Sequence, residues 1–291
     1  MDILFFTHLL NALLMISMPV ALAIFLARRW KLGWRLWLVG AAGFVISQVG
    51  HIPFNAWMSG VLNQTALVHL SPANQTLFNA VFLGLSAGLF EELTRYAVLR
   101  WWLKDARSWR RGVLAGAGHG GVEAILLGCL ALYAFLQFSA LRTADLSTIV
   151  SPTQLAQAQQ QVAAYWSGPW YAALLGALER LFTIVIQVSL AVIVLQALTR
   201  KQWWWVGLAV LYHALLDGVS LLVLKPAGIY GTEAIVGGFA LLSLGIIFAL
   251  RRPEPLPEPA SEAAVPSQAA VPPDLKPVEE TPENLDNSRF I

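Results

Sequence analysis

The sequence predicts an all-α fold, a polytopic membrane helix bundle of about seven transmembrane helices, and three observations carry that prediction. Hydrophobic residues make up 57% of the 291 positions and charged ones only 12%. With a mean hydropathy of +0.62, this balance excludes a water-soluble globular domain. Apolar runs of roughly 20 residues or more, the length needed to cross a hydrocarbon core, recur seven times along the chain. Lysine and arginine gather in alternate connections between those runs, the pattern of the positive-inside rule.

The first run, residues 3–27, begins directly after Met1-Asp2 with no basic stretch before it, and so reads as a retained helix rather than a cleaved leader. Arg28, Arg29, Lys31 and Arg35 lead into the second run, 34–56. The third, 77–103, ends at Lys104, Arg107, Arg110 and Arg111, and the fourth is 112–138. Arg200 and Lys201 separate the fifth, 170–198, from the sixth, 203–224, and Arg251 and Arg252 close the seventh, 230–250. The intervening connections carry only Arg142 and Lys225. This alternation predicts an N-terminus outside and a C-terminus in the cytoplasm of a multi-pass cell-membrane protein. Trp30, Trp34, Trp101, Trp102 and Trp203 to Trp205 would form the cytoplasmic aromatic belt, and Trp57, Trp166 and Trp170 the outer one. The stretch 151–166 opens with Ser-Pro and has no later breaker, which predicts a short polar helix over the outer face. The bundle spans 1–252. Residues 253–291 are rich in proline and glutamate with little to bury, which predicts a disordered cytoplasmic tail. The single cysteine, Cys129, excludes an internal disulfide and reads as a small buried hydrophobe.

Ionisable residues inside these runs are costly in a bilayer, so they mark either a functional site or pairs that hold the bundle together. The third run carries Glu91, Glu92 and Arg95; the fourth His119 and Glu123; the fifth Glu179, Arg180 and Gln187; the sixth His213 and Asp217. At about 1.5 Å per residue from the nearest cytoplasmic basic residue, Glu91, Glu123, Gln187 and His213 share a depth of about 18 to 20 Å. Glu179 falls nearer the outer surface. His119 and Glu123 are four residues apart, as are His213 and Asp217, so each pair presents an imidazole and a carboxylate on one helix face. Two such faces suffice to hold a divalent metal, and Zn2+ suits nitrogen and oxygen donors. Arg95, one turn after Glu91, is placed to hold a carboxylate or stabilise an oxyanion. A metal that acidifies water and a glutamate that takes its proton are the apparatus of hydrolysis, with Glu91 or Glu92 as the base.

The EExxR motif at 91–95, GAGHGGVEA at 116–124, ALERLF at 177–182 and YHALLDG at 212–218 together resemble the YhfC-like branch of the intramembrane metalloproteases of the CAAX-processing and bacteriocin-processing superfamily, related to PrsW. The similarity runs over residues 76–225. It implies a helical bundle with a buried zinc site, Glu91 and Glu92 in the general-base motif, His119 and His213 as ligands, and Asp217 as a ligand or its orienting partner. Ala115 and Gln187 depart from the pattern, since the wider superfamily places phenylalanine at the first position and the branch often has histidine at the second. An amide is a poorer zinc ligand than an imidazole. The implied activity is a zinc-dependent endopeptidase acting on a membrane protein or peptide within the lipid bilayer, with no nucleic-acid partner. Two other functions use buried polar groups: a proton- or cation-coupled transporter, which usually shows repeats absent from this sequence, and a non-catalytic scaffold or immunity-type relative.

Overall fold

The computed structural model describes residues 2–65 and 67–252, and the tail expected at 253–291 lies outside them. Seven α-helices follow in order: α1 (Ile3–Trp30), α2 (Arg35–Thr65), α3 (Pro72–Ala97), α4 (Trp109–Leu141), α5 (Pro152–Tyr165), α6 (Leu175–Thr199) and α7 (Trp204–Ala249). No strand occurs among the described residues.

Local chemistry sets several of the helix ends. Asp2 caps α1 by accepting from the Leu4 N–H at 3.0 Å, and Lys31 terminates it in the left-handed region at φ 53°. Ser71 caps α3, with Pro72 at its first position, where the missing N–H costs nothing. α3 does not stop at Ala97 but widens into a π-helical turn, Val98–Trp102. Arg107 closes that turn, donating to the carbonyls of Leu99 and Leu103 at 3.0 and 2.9 Å.

All but α5 of these helices are long and apolar enough to cross a membrane. The last, at 46 residues, would extend about 69 Å if straight, more than twice a hydrocarbon core of about 30 Å. It does not stay straight. Two residues after Pro226 the backbone breaks at Gly228 (φ 64°, ψ −169°), a conformation open to glycine because it has no Cβ. The Tyr212 hydroxyl donates to the Phe239 carbonyl at 3.0 Å and lies 2.8 Å from the Ser243 hydroxyl. A straight helix would hold Tyr212 and Phe239 about 40 Å apart. α7 is therefore a hairpin of two arms, corresponding to the sixth and seventh apolar runs of the sequence. α2 runs to Thr65, nine residues past its expected end, because the polar residues that close the apolar run do not break a helix.

α6 is the central post. Its apolar window is 72% buried, against 17 to 39% for the other spans, and it packs on α1, α4 and α7. In lipid, close approach between helices depends on small residues rather than on burying apolar surface. A Cβ on Gly118 would come within 2.0 Å of the Trp37 carbonyl oxygen, and one on Gly40 within 2.0 Å of that of Ala115, so α2 and α4 touch backbone to backbone. α3 meets the first arm of α7 in the same way, where a Cβ on Gly88 would stand 2.6 Å from the Val210 oxygen. The short helix expected at 151–166 is present as α5 and has no buried residue. Cys129, expected to be buried, is exposed on the outer side of α4, which packs its glycine-rich face inward.

Candidate metal centre

The close contacts of α3 with α2, α6 and α7 surround the buried pair Glu91 and Glu92. Consecutive residues on a helix point about 100° apart, so the two carboxylates face different neighbours. Glu92 turns to α7, where its Oε1 lies 2.9 Å from His213 Nδ1. Glu91 turns to α4 and α6, where its Oε2 lies 3.1 Å from His119 Nε2 and accepts from the Gln187 amide at 3.2 Å. One turn on, Arg95 brings its Nε to 3.5 Å from Glu92 Oε2 and donates to both the backbone and side-chain oxygens of Gln187. A ring edge of Phe44 packs against His119.

Glu91, Glu92 and His213 each offer a ligand atom, and these atoms lie within 4.8 Å of one another. Two carboxylates and an imidazole form a donor set suited to a divalent transition metal. Glu92 Oε2 is buried and has no hydrogen-bond partner. Its charged neighbour is Arg95 Nε at 3.5 Å, which makes no hydrogen bond to it, so a lone pair stays open to a bound cation. These residues therefore fit a metal ion.

The remaining residues expected at the site take different places. His119 is one bond removed from the group of three, through Glu91. Glu123 accepts from Arg180 at 2.7 Å and from Gln187 at 3.0 Å. Asp217 flanks His213, with its Oδ2 3.6 Å from Nε2. Gln187 thus stands at the crossing of the polar network, joined to Arg95, Glu91 and Glu123. Arg180 bridges Glu123 and Glu179, and among the described residues it is what joins Glu179 to the centre.

α2 contributes a polar row that sequence reasoning missed. Gln48 donates to Glu91 Oε1 at 3.0 Å, and its own oxygen lies 3.3 Å from His51 Nδ1. Asn55 Nδ2 lies 2.8 Å from His51 Nε2; with the amide as donor there, Nδ1–H is the donor to Gln48. The signal was legible as Q, H and N at spacing three and four in QVGHIPFN, which places them on one face of an otherwise apolar helix. Between α2 and α4 a cleft of about 640 Å³ opens, lined by Phe44, Gln48, His51, Leu126 and, at its polar end, Glu91 and Glu123.

Comparison with known proteins agrees with this architecture. Residues 14–240 match the YhfC intramembrane metalloprotease family. The "Uncharacterized membrane protein YhfC" of Bacillus subtilis (strain 168) is 27% identical over 247 residues, which cover 81% of this chain and 92% of that protein. No solved structure matches. With a match over residues 14–240, every span that carries the polar centre included, this multi-pass membrane protein belongs to the YhfC intramembrane metalloprotease family.

Proposed function

We propose that the chain is a zinc-dependent endopeptidase that hydrolyses a peptide bond in or near the membrane, with Glu91 as general base and Glu92 and His213 as metal ligands. The observation that carries this reading is the group Glu91, Glu92 and His213, whose ligand atoms lie within 4.8 Å of one another. Zinc held there supplies Lewis acidity, polarising a carbonyl and lowering the pKa of water to about 7. The two glutamates divide the work by position. Glu91 lines the cleft, where a substrate backbone reaches it, whereas Glu92 is fully enclosed between His213 and Arg95. The Glu91 carboxylate takes a proton from the attacking water as the water oxygen bonds to the carbonyl carbon. It then gives that proton to the amine nitrogen as the C–N bond breaks. His119, Gln187 and Gln48 hold that carboxylate by three hydrogen bonds, and Arg95 offsets part of the negative charge of the two glutamates. The apolar walls of the cleft favour a membrane protein or peptide as substrate.

The test is metal content. Purified wild-type protein is expected to carry zinc in stoichiometric amount by elemental analysis, and His213→Ala and Glu92→Gln to lose it. Glu91→Gln is expected to lower peptide hydrolysis about 10² to 10⁴-fold. Wild-type protein that binds no zinc sinks the reading.

A further inference from the structure

Arg180 is the hub of a second polar cluster, placed between the metal centre and the end of the bundle where α6 begins. Its buried guanidinium donates to Glu123 and pairs with Glu179. Asp217 on the first arm of α7 and Glu233 on the second lie within its electrostatic reach. Two of these carboxylates are not packed away: the side chains of Asp217 and Glu179 are 37% and 39% exposed, although both residues sit in membrane-spanning helices. An open carboxylate surface inside a span cannot face lipid tails without heavy cost, so it faces water. Glu233 adds an independent sign. It is buried, and its Oε2 has no partner among the described residues, a position that an ordered water satisfies. From this cluster hydrogen bonds run inward from Arg180 to Glu123, and the Gln187 amide joins Glu123 Oε2 to Glu91 Oε2.

Hydrolysis consumes one water for each peptide bond, and the α2–α4 cleft is mostly apolar, walled by Val45, Val49, Ile52, Leu126 and Leu127, with Gln48, His51, Glu91 and Glu123 as its polar residues. We propose that the Arg180 cluster is the aqueous route to the metal centre, entered from the end of the bundle opposite the basic connections and lined by Glu179, Glu233, Asp217 and Glu123. Water then arrives by one path and the apolar substrate by another. The purpose of this route rests on the hydrolase reading, but its existence is measurable without turnover or metal.

Thr183 lies three residues after Arg180 and four before Gln187, on their face of α6, while Leu181 is 48% exposed on the lipid-facing side. In a Cys129→Ala background, which removes the one native thiol, Thr183→Cys, Glu233→Cys and Leu181→Cys are treated in vesicles of both orientations with a membrane-impermeant sulfonated methanethiosulfonate. Such reagents attack thiolates, which form in water and not in lipid. Thr183→Cys and Glu233→Cys are expected to react at least about tenfold faster than Leu181→Cys, and from the face opposite the basic connections. Equal rates at Thr183→Cys and Leu181→Cys, or reaction only from the basic face, overturn the route. Thr183→Cys is close to isosteric and decides the matter if Glu233→Cys is not produced. A labelled protein that binds no zinc would remove the hydrolase reading and leave the route standing.

Discussion

At the scale of single residues, the adjacent glutamates on α3 occupy different environments. Glu92 has no exposed surface and sits between an imidazole and a guanidinium, and Glu91 opens onto the cleft and accepts from three side chains. Gln48 bonds Glu91 from the cleft side and has no bond to Glu92 or His213, so it separates positioning from metal binding. Gln48→Leu is expected to leave zinc content unchanged and to lower kcat by about tenfold through a misdirected Glu91; a parallel loss of zinc would count against that division. Arg180 offers a stability test of the neighbouring cluster. Removing it leaves the largely buried Glu123 without its cation, which for a buried pair costs about 3 to 5 kcal/mol, while the open Glu179 adds little. Arg180→Met is therefore expected to unfold at lower temperature in detergent than wild type, and Arg180→Met with Glu123→Gln to recover part of the loss. No recovery in the double variant would mean that the pair is not what the arginine stabilises. The residues of the polar centre stood out in the sequence because carboxylates and imidazoles are rare in apolar runs, and counting from the basic connections gives Glu91, Glu123, Gln187 and His213 a common depth. Their pairing was not, because which side chains meet across helices depends on the rotation of each helix about its axis. Hence Glu123, expected to ligate metal, is engaged by an arginine seven residues before Gln187 on α6.

At the scale of elements, the centre depends on helices being closer than ordinary side chains allow. Gly118 and Gly40 put α4 and α2 backbone against backbone, and Gly88 does the same for α3 and α7, so four polar side chains from different helices can bond directly. Gly118→Ala and Gly40→Ala would each place a methyl 2.0 Å from a carbonyl oxygen, which no rotamer change relieves. Gly33 and Gly207 have nothing within 4 Å of an added Cβ. The first pair of substitutions is expected to lower the yield of folded protein and its melting temperature, with alanine at Gly33 and Gly207 near neutral. If all four behave alike, close packing is not what holds α2 on α4. The glycines of GAGHGG were visible in the sequence as candidates for tight packing, but not the helix each would meet. The spans themselves were readable from length and apolarity. The end of α2 was not, because a helix continues into the interface where the apolar run has ended, whereas the two arms of α7 were legible as separate apolar runs, 203–224 and 230–250, and Gly228 shows where the chain turns between them.

At the scale of the whole molecule, the hairpin in α7 places Asp2 and Arg252 at opposite ends of the bundle. Asp2 pairs with Arg142 at the far end of α4, and that hydrogen-bonded guanidinium holds the Asp2 carboxyl below its ordinary pKa, so the tie stays ionic at neutral pH. The opposite end gathers the basic connections: Arg35 lies 3.6 Å from Asp105, Arg251 stacks over the Trp109 ring, and Trp109 donates to the Ile247 carbonyl at 2.8 Å. One end of the bundle is thus rich in arginine and lysine and ringed with tryptophan, and the other has Arg142 and Lys225 alone. Charge bias of this kind is retained on the cytoplasmic side because basic residues are held back during insertion. By this rule Arg252 is expected on the cytoplasmic side and Asp2 and α5 outside, which would open the Arg180 cluster away from the cytoplasm. Green fluorescent protein fused to the C-terminus is expected to fluoresce, alkaline phosphatase at the same place to be inactive, and an epitope before Asp2 to be reached by antibody on intact cells. The opposite pattern would invert the molecule and move the water route to the cytoplasmic face, without disturbing a single contact at the metal centre.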